Sequence, residues 1–278
     1  MRARRLWLGF MTVLGLARRG FFIPYRYAAG VSLPASGPAY PAIEGVLREH
    51  EAVFRAAVLR LQDYGEALRR IGVERPPAPR WDQDWFPRLD AAMAYAMVRA
   101  AAPRRIVEVG AGHSTRFFAR AVADGGLDTR LTAIDPAPRA VLEGVPVGLV
   151  RARLEQADPA LFAELKAGDV LSVDSSHILM PGTDVDRLLN AILPALPADT
   201  LVHFHDIFLP DDYPSAWAWR AYNEQLGVAQ LLLGGAYQPL FASHYVVTRM
   251  ADLVASGVLA DLSLSAGAFE SGLWLRKR

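Results

Sequence analysis

The run Val107-Glu108-Val109-Gly110-Ala111-Gly112-His113-Ser114-Thr115 takes a short apolar stretch into a glycine turn and then into a helix start. Glycines at such a turn let backbone approach a ligand closely, and the free N–H groups at the head of the helix point outward. A dinucleotide fingerprint would place a third glycine at Thr115, and it is missing. Glu108 stands two residues before the first glycine. A carboxylate at that depth suits a cationic or amine-bearing ligand better than a diphosphate. Asp135 ends the next apolar run, where an acid accepts hydrogen bonds from both hydroxyls of a ribose.

A second constellation is Asp174-Ser175-Ser176-His177 with His205-Asp206. Both groups follow short apolar runs, so in a parallel sheet they would face one crevice. Two chemistries are open to them. Asp174 and Asp206 could hold a divalent ion, and carboxylate with imidazole suits manganese, iron or zinc better than magnesium. Alternatively His177 or His205, with an ordinary pKa near 6.5, could take a proton from an acceptor hydroxyl with no metal at all. A purely structural reading has the same histidines capping strand ends. His203 is expected to point to the opposite face from His205 and to be structural. His50, on a long helix, and His244, in a late strand, are expected to be bystanders. Tyr213, Trp217 and Trp219 could wall an acceptor pocket, with Arg220 for an anionic group, or could equally be core. The stretch Trp81-Asp82-Gln83-Asp84-Trp85-Phe86 carries the same two readings.

These motifs resemble the class I S-adenosylmethionine-dependent methyltransferases, and more closely a bacterial branch whose members carry E-V-G-x-G-x-S-T, D-S-S-H and H-D-I-F. Here they read Glu108 to Thr115, Asp174 to His177, and His205-Asp206-Ile207-Phe208. The resemblance covers about residues 85–225. It is looser at Phe22-Ile23-Pro24-Tyr25-Arg26-Tyr27 and Ser271-Gly272-Leu273-Trp274-Leu275. It implies S-adenosyl-L-methionine as cofactor, held by Glu108, Gly110, Ala111, Gly112, Ser114, Asp135 and Asp174. Glu155 or Gln156 would lie near the adenine. His177, His205 and Asp206 would be catalytic. Metal-using relatives usually follow the second strand-end acid with Asn, and Ile207 stands there in this chain. The implied activity is methyl transfer, as an O-methyltransferase, to a small-molecule or membrane-associated acceptor. Two alternatives remain: a metal-dependent hydroxylase-like relative, or a nucleotide-binding protein without turnover.

The elements that must position these residues alternate. Apolar runs at 105–109, 131–134, 170–173 and 201–204 are separated by helical stretches at 115–124, 158–166 and 184–195. That alternation predicts an α/β, doubly wound, Rossmann-like parallel sheet. Segments 217–233 and 243–249 are expected to complete it. Upstream, apolar spacing predicts one amphipathic helix over 42–72 and another over 88–101. Pro76, Pro77 and Pro79 suggest a boundary between a helical extension, 1–80, and a catalytic domain, 81–278.

Composition narrows the classes. The absence of Cys excludes disulfides, thiolate metal sites and thiol nucleophiles. A net charge of +1 argues against a nucleic-acid coat, and 52% hydrophobic content fits a packed globular chain, expected to be cytoplasmic. The balance hides an asymmetry: residues 1–43 hold no acid but carry Arg2, Arg4, Arg5, Arg18, Arg19 and Arg26. Between the arginines lies an apolar run of about 12 residues, too short for the roughly 20 a membrane span needs. The readings are a helix packed on the domain, a signal peptide, or an interfacial helix giving residues 1–20 peripheral membrane contact. Residues 30–41 read as a Pro/Gly loop.

Overall fold

The computed structural model describes residues 2–31 and 39–278. Two compact units result, Met1–Gly37 and Pro38–Arg278. The first contains helix α1 (Arg2–Val13) and a short helical turn at Ala28–Gly30. Of the expected loop over 30–41, residues 32–38 lie outside the described residues. Among the described residues, no helix is long and apolar enough to cross a membrane.

The second unit is built on a seven-stranded sheet: β1 (Arg105–Val109), β2 (Arg130–Ile134), β3 (Gly148–Val150), β4 (Val170–Val173), β5 (Leu201–Phe204), β6 (Tyr237–Ala242) and β7 (Leu273–Lys277). Their spatial order is β3-β2-β1-β4-β5-β7-β6. Strands β1 to β5 run parallel, and β7 pairs antiparallel with both β5 and β6. Around them lie α2 (Pro41–Arg48), α3 (Glu51–Arg60), α4 (Gly65–Arg70), α5 (Arg88–Ala101), α6 (His113–Gly125), α7 (Ala160–Ala163), α8 (Asp184–Arg187), α9 (Leu193–Ala195), α10 (Glu224–Leu233), α11 (Ser243–Arg249) and α12 (Val258–Asp261). This is the expected Rossmann-like α/β fold. Strands β4 and β5 are buried at every position, which fits near-continuous apolar runs covered on both faces.

Three expectations are corrected. The single helix over 42–72 is instead α2, α3, a tight turn at Leu61–Tyr64, and α4. A straight helix of that length would span ~46 Å, far beyond the five-residue strands it must cover. Breaking it buries Ile43, Leu47, Phe54, Val58, Leu61, Leu68 and Ile71 in one core. At the first break, His50 Nδ1 donates to the Val46 carbonyl at 2.9 Å, a side-chain bond that competes with the helix ladder. The expected boundary at residue 80 falls inside the second unit, because these helices share the core of the sheet. Phe54 meets Phe241 of β6 and Tyr245 of α11 edge-on, each at 6.0 Å between ring centres. Finally, segments 217–233 and 243–249 are not strands. They hold α10 and α11, and β6 and β7 complete the sheet. Short apolar runs fit strand and helix alike until pairing decides. His244 therefore sits on α11, where its Nε2 donates to Asp211 at 2.8 Å.

Candidate active site

Strand β1 delivers the chain into Gly110 at φ +89°, a backbone conformation L side chains rarely adopt. A Cβ there would lie 2.1 Å from the Asp174 carbonyl oxygen, because β4 ends against the same turn. The Asp174 N–H donates to the Val109 carbonyl at 2.8 Å and ties the two strand ends together. At the head of α6, the Gly112 N–H donates to Thr115 Oγ1 at 2.9 Å. The Thr115 hydroxyl in turn donates to Glu108 at 2.6 Å, and the Ser114 hydroxyl donates to the other Glu108 oxygen at 2.5 Å. Thr115 thus uses the position of the missing glycine to cap the helix and hold Glu108. Glu108 is completely buried, and burial pushes its carboxyl up to about 8 against the lowering effect of those two hydroxyls. Asp135 accepts from Ala111 N–H at 2.9 Å and Ala137 N–H at 2.7 Å. A carboxylate has about four acceptor positions, so two remain.

The second constellation assembles at the ends of β4 and β5. His177 and Asp206 both hold left-handed backbone, at φ +59° and +58°. His177 Nε2 lies 3.3 Å from Asp174 Oδ1 and 3.5 Å from Asp206 Oδ2. Its Nδ1–H donates to Glu224 at 2.8 Å. His205 Nδ1 lies 3.4 Å from Asp206 and 3.8 Å from Asp174, while its Nε2 faces Asp90 at 3.2 Å. Asp90, on α5, also accepts from the N–H groups of Ser271 at 2.9 Å and Gly272 at 2.8 Å. Sequence reasoning missed Asp90, Glu224 and Ser271, whose hydroxyl reaches Asp206 at 3.3 Å. A signal for Asp90 did exist: an acid beside Leu89 within the apolar face of a helix is rare unless paired.

Each histidine carries carboxylates at both ring nitrogens. Burial alone would push their pKa values down. For His177 the hydrogen bonds to Asp174 and Glu224 outweigh it, and for His205 the charge of Asp206 and the bonds to Asp174 and Asp90 do so. Both rings are held well above the ordinary value. Burial likewise works to raise Asp174, but its two histidine partners bring it far below the usual carboxylate range. The simple expectation of a histidine base near pKa 6.5 is therefore corrected, because neither ring is free of a carboxylate. His203 is corrected too. Residues two apart share a strand face, and Phe86 packs against both rings, at 5.8 Å for His203 and 5.1 Å for His205. His203 is structural as expected: Nδ1 pairs with Ser172 Oγ at 2.9 Å, and burial lowers its pKa to about 3.

One ligand-type atom each from Asp174, His177 and Asp206 lies within 4.8 Å of the others. Two carboxylates and an imidazole are a fitting donor set for a borderline divalent cation. Glu224 behind His177 supplies the carboxylate–histidine support that fixes which nitrogen faces such an ion. Ile207 is buried and offers nothing, so His177 stands in as the third donor. Beside it, Tyr222 packs on the His177 ring at 4.4 Å. The Arg220 guanidinium lies 4.1 Å over Trp217, 5.4 Å over Trp219 and 5.3 Å over Tyr222. In the other candidate wall Trp81 and Phe86 are core, while Trp85 is exposed beneath Arg139.

No curated protein matches the sequence. Residues 107–207 match the family model described as a methyltransferase domain. This segment is similar to a methyltransferase domain. Among solved structures, it is similar to a Podospora anserina methyltransferase bound to S-adenosylhomocysteine, at 15% identity over 93% of this chain and 99% of that one, with TM-score 0.42. An O-methyltransferase from Bacillus cereus matches at 11% identity over 91% and 96%, with TM-score 0.38. The plantazolicin methyltransferase BpumL matches at 14% identity over 85% and 99%, with TM-score 0.43. Likenesses of this size lend the chain no substrate. The matched segment contains Glu108, Asp135, Asp174, His177, His205 and Asp206. Asp90, Glu224 and Ser271 lie outside it and reach in from α5, α10 and the approach to β7.

Proposed function

We propose that the chain transfers the methyl group of S-adenosylmethionine to a hydroxyl oxygen of a small or membrane-associated acceptor, with a divalent cation held by Asp174, His177 and Asp206. One observation carries this reading. Each histidine has one ring nitrogen held by a buried carboxylate, Glu224 or Asp90, and the other turned toward Asp174 and Asp206. A neutral amine is nucleophilic enough to attack the methyl carbon first and lose its proton afterwards. A hydroxyl must lose its proton as it attacks, and this strand-end cluster is built to hold protons and charge.

Transfer from a sulfonium is a direct displacement. The acceptor oxygen bonds to the methyl carbon as the carbon–sulfur bond breaks, and a neutral thioether leaves. Residues 110–114 and Asp135 bind the cofactor so that acceptor and methyl carbon are aligned, which is where much of the rate comes from. A bound cation supplies polarisation of the acceptor oxygen, lowering its pKa. Asp90 accepts from His205 Nε2–H and so fixes Nδ1 as the nitrogen facing the site. With Asp174 and Asp206 holding a cation, His205 Nδ1 would be free to take the hydroxyl proton.

Transfer of labelled methyl groups to a panel of phenols, alcohols, amines and thiols tests the acceptor. Turnover of oxygen acceptors is expected, and turnover confined to amines or thiols refutes it. Titration with Mn²⁺ tests the ion: binding lost in Asp206→Asn is expected, and a wild-type chain that binds neither Mn²⁺ nor Zn²⁺ removes it.

A further inference from the structure

We propose that the unit Met1–Gly37 is an interfacial anchor that seats the protein on an anionic lipid bilayer. Among its described residues, most of the large apolar side chains are left exposed. Leu6, Trp7, Phe10, Val13, Leu14 and Leu16 are all more than half exposed. Helical spacing puts Leu6, Trp7, Phe10 and Val13 on one face of α1, with Leu14 just past its end, while Arg5, Gly9 and Thr12 lie on the other. Trp7 and Phe10 stack at 6.1 Å on that apolar face. A second apolar stretch follows, with Phe22, Ile23, Tyr25 and Tyr27 also exposed.

Charge decides the occupant. The unit carries Arg2, Arg4, Arg5, Arg18, Arg19 and Arg26 and no acid. A second copy of so cationic a surface would repel it, whereas anionic headgroups complement it. Arginines also accompany the later aromatics: Arg18 lies 5.4 Å over Phe21 and Arg26 lies 5.6 Å over Tyr27. An arginine against an aromatic ring puts apolar body and charged head at the same depth, as a bilayer interface requires. At 12 residues α1 is ~18 Å long, well short of a hydrocarbon core of about 30 Å. A helix of that length with one apolar face lies in the interface plane rather than across it.

Co-sedimentation of the full chain with vesicles tests this. One set is phosphatidylcholine alone, and the other is phosphatidylcholine mixed with phosphatidylserine. Binding is expected on the phosphatidylserine vesicles only and should weaken with added salt. Each arginine replaced, as in Arg18→Glu or Arg19→Glu, should weaken it at least about fivefold. Trp7→Ser with Phe10→Ser should abolish it while circular dichroism and cofactor binding stay unchanged. Equal partitioning onto both vesicle types, or equal partitioning of wild type and variants, overturns the proposal. So does a dimer that dissociates in the Trp7→Ser, Phe10→Ser variant while no vesicle binds.

Discussion

Replacing Asp90 with Asn keeps the side-chain volume and removes one charge from the centre of the site. Asp90 Oδ1 accepts from Gly272 N–H at 2.8 Å, and Oδ2 accepts from Ser271 N–H at 2.9 Å while facing His205 Nε2 at 3.2 Å. Asn has a single acceptor oxygen. Whichever way it is turned, one buried backbone N–H meets an NH₂ group, costing about 1–3 kcal/mol. The charge-assisted bond from His205 is worth a further 1.5–3 kcal/mol or so, partly offset because a neutral amide is easier to bury. The expected loss is about 3–5 kcal/mol, the range for breaking a buried pair. Its pH dependence has a definite sign. His205 is raised when folded, so its contribution is complete below the ordinary histidine value of 6.5 and fades as pH rises through the folded value. Asp90 is lowered when folded despite its burial, chiefly by His205, so its contribution is present above 3.8 and fades as pH falls through the folded value. The gap between wild type and Asp90→Asn should therefore be widest between those limits and should narrow at higher pH. Urea unfolding at a series of pH values measures the gap, and imidazole NMR follows His205. A loss below about 1 kcal/mol, with His205 titrating as before, would refute the reasoning.

Gly110→Ala should destabilise by about 1–2 kcal/mol from left-handed backbone alone, and further by displacing Asp174. Gly112→Ala, whose Cβ would meet nothing within 4 Å, should cost far less, and thermal melts of the pair check the contrast. Asp135→Ala should weaken S-adenosylmethionine about 10- to 150-fold by calorimetry, the loss of one charge-assisted bond. Glu224→Gln should lower Mn²⁺ affinity about 10- to 100-fold through His177, and unchanged affinity would remove Glu224 from the site. Glu108, raised to about 8 from 4.5, binds its proton more tightly folded than unfolded, so wild-type stability should fall as pH rises across that window. Glu108→Gln should flatten that part of the stability profile.

Much of the chemistry was written locally. The glycine turn, the acids ending β1's neighbours, and the alternation of strand and helix depend on residues close in sequence, so short patterns name them. Residues Glu108, Asp135, Asp174 and Asp206 owe their placement to one rule: parallel strands present their C-terminal ends to a common edge. Connections across the sheet followed no such rule. Whether 243–249 was strand or helix depended on β7 arriving from residue 273 to take the place beside β5, a long-range pairing with no local mark. The unbroken helix over 42–72 failed because apolar spacing records which residues are buried and not the curvature of the core that buries them. The largest gap was in the histidines. Their residue types suggested a free base, but the state of an imidazole depends on what faces both nitrogens. Asp90 and Glu224, more than a hundred residues apart in the chain, reach His205 and His177 only when α5 and α10 pack against the sheet. Sequence alone determined which groups stand at the strand ends. Tertiary structure decided their charge, because burial and partner distance, which set a pKa, exist only once the chain has folded.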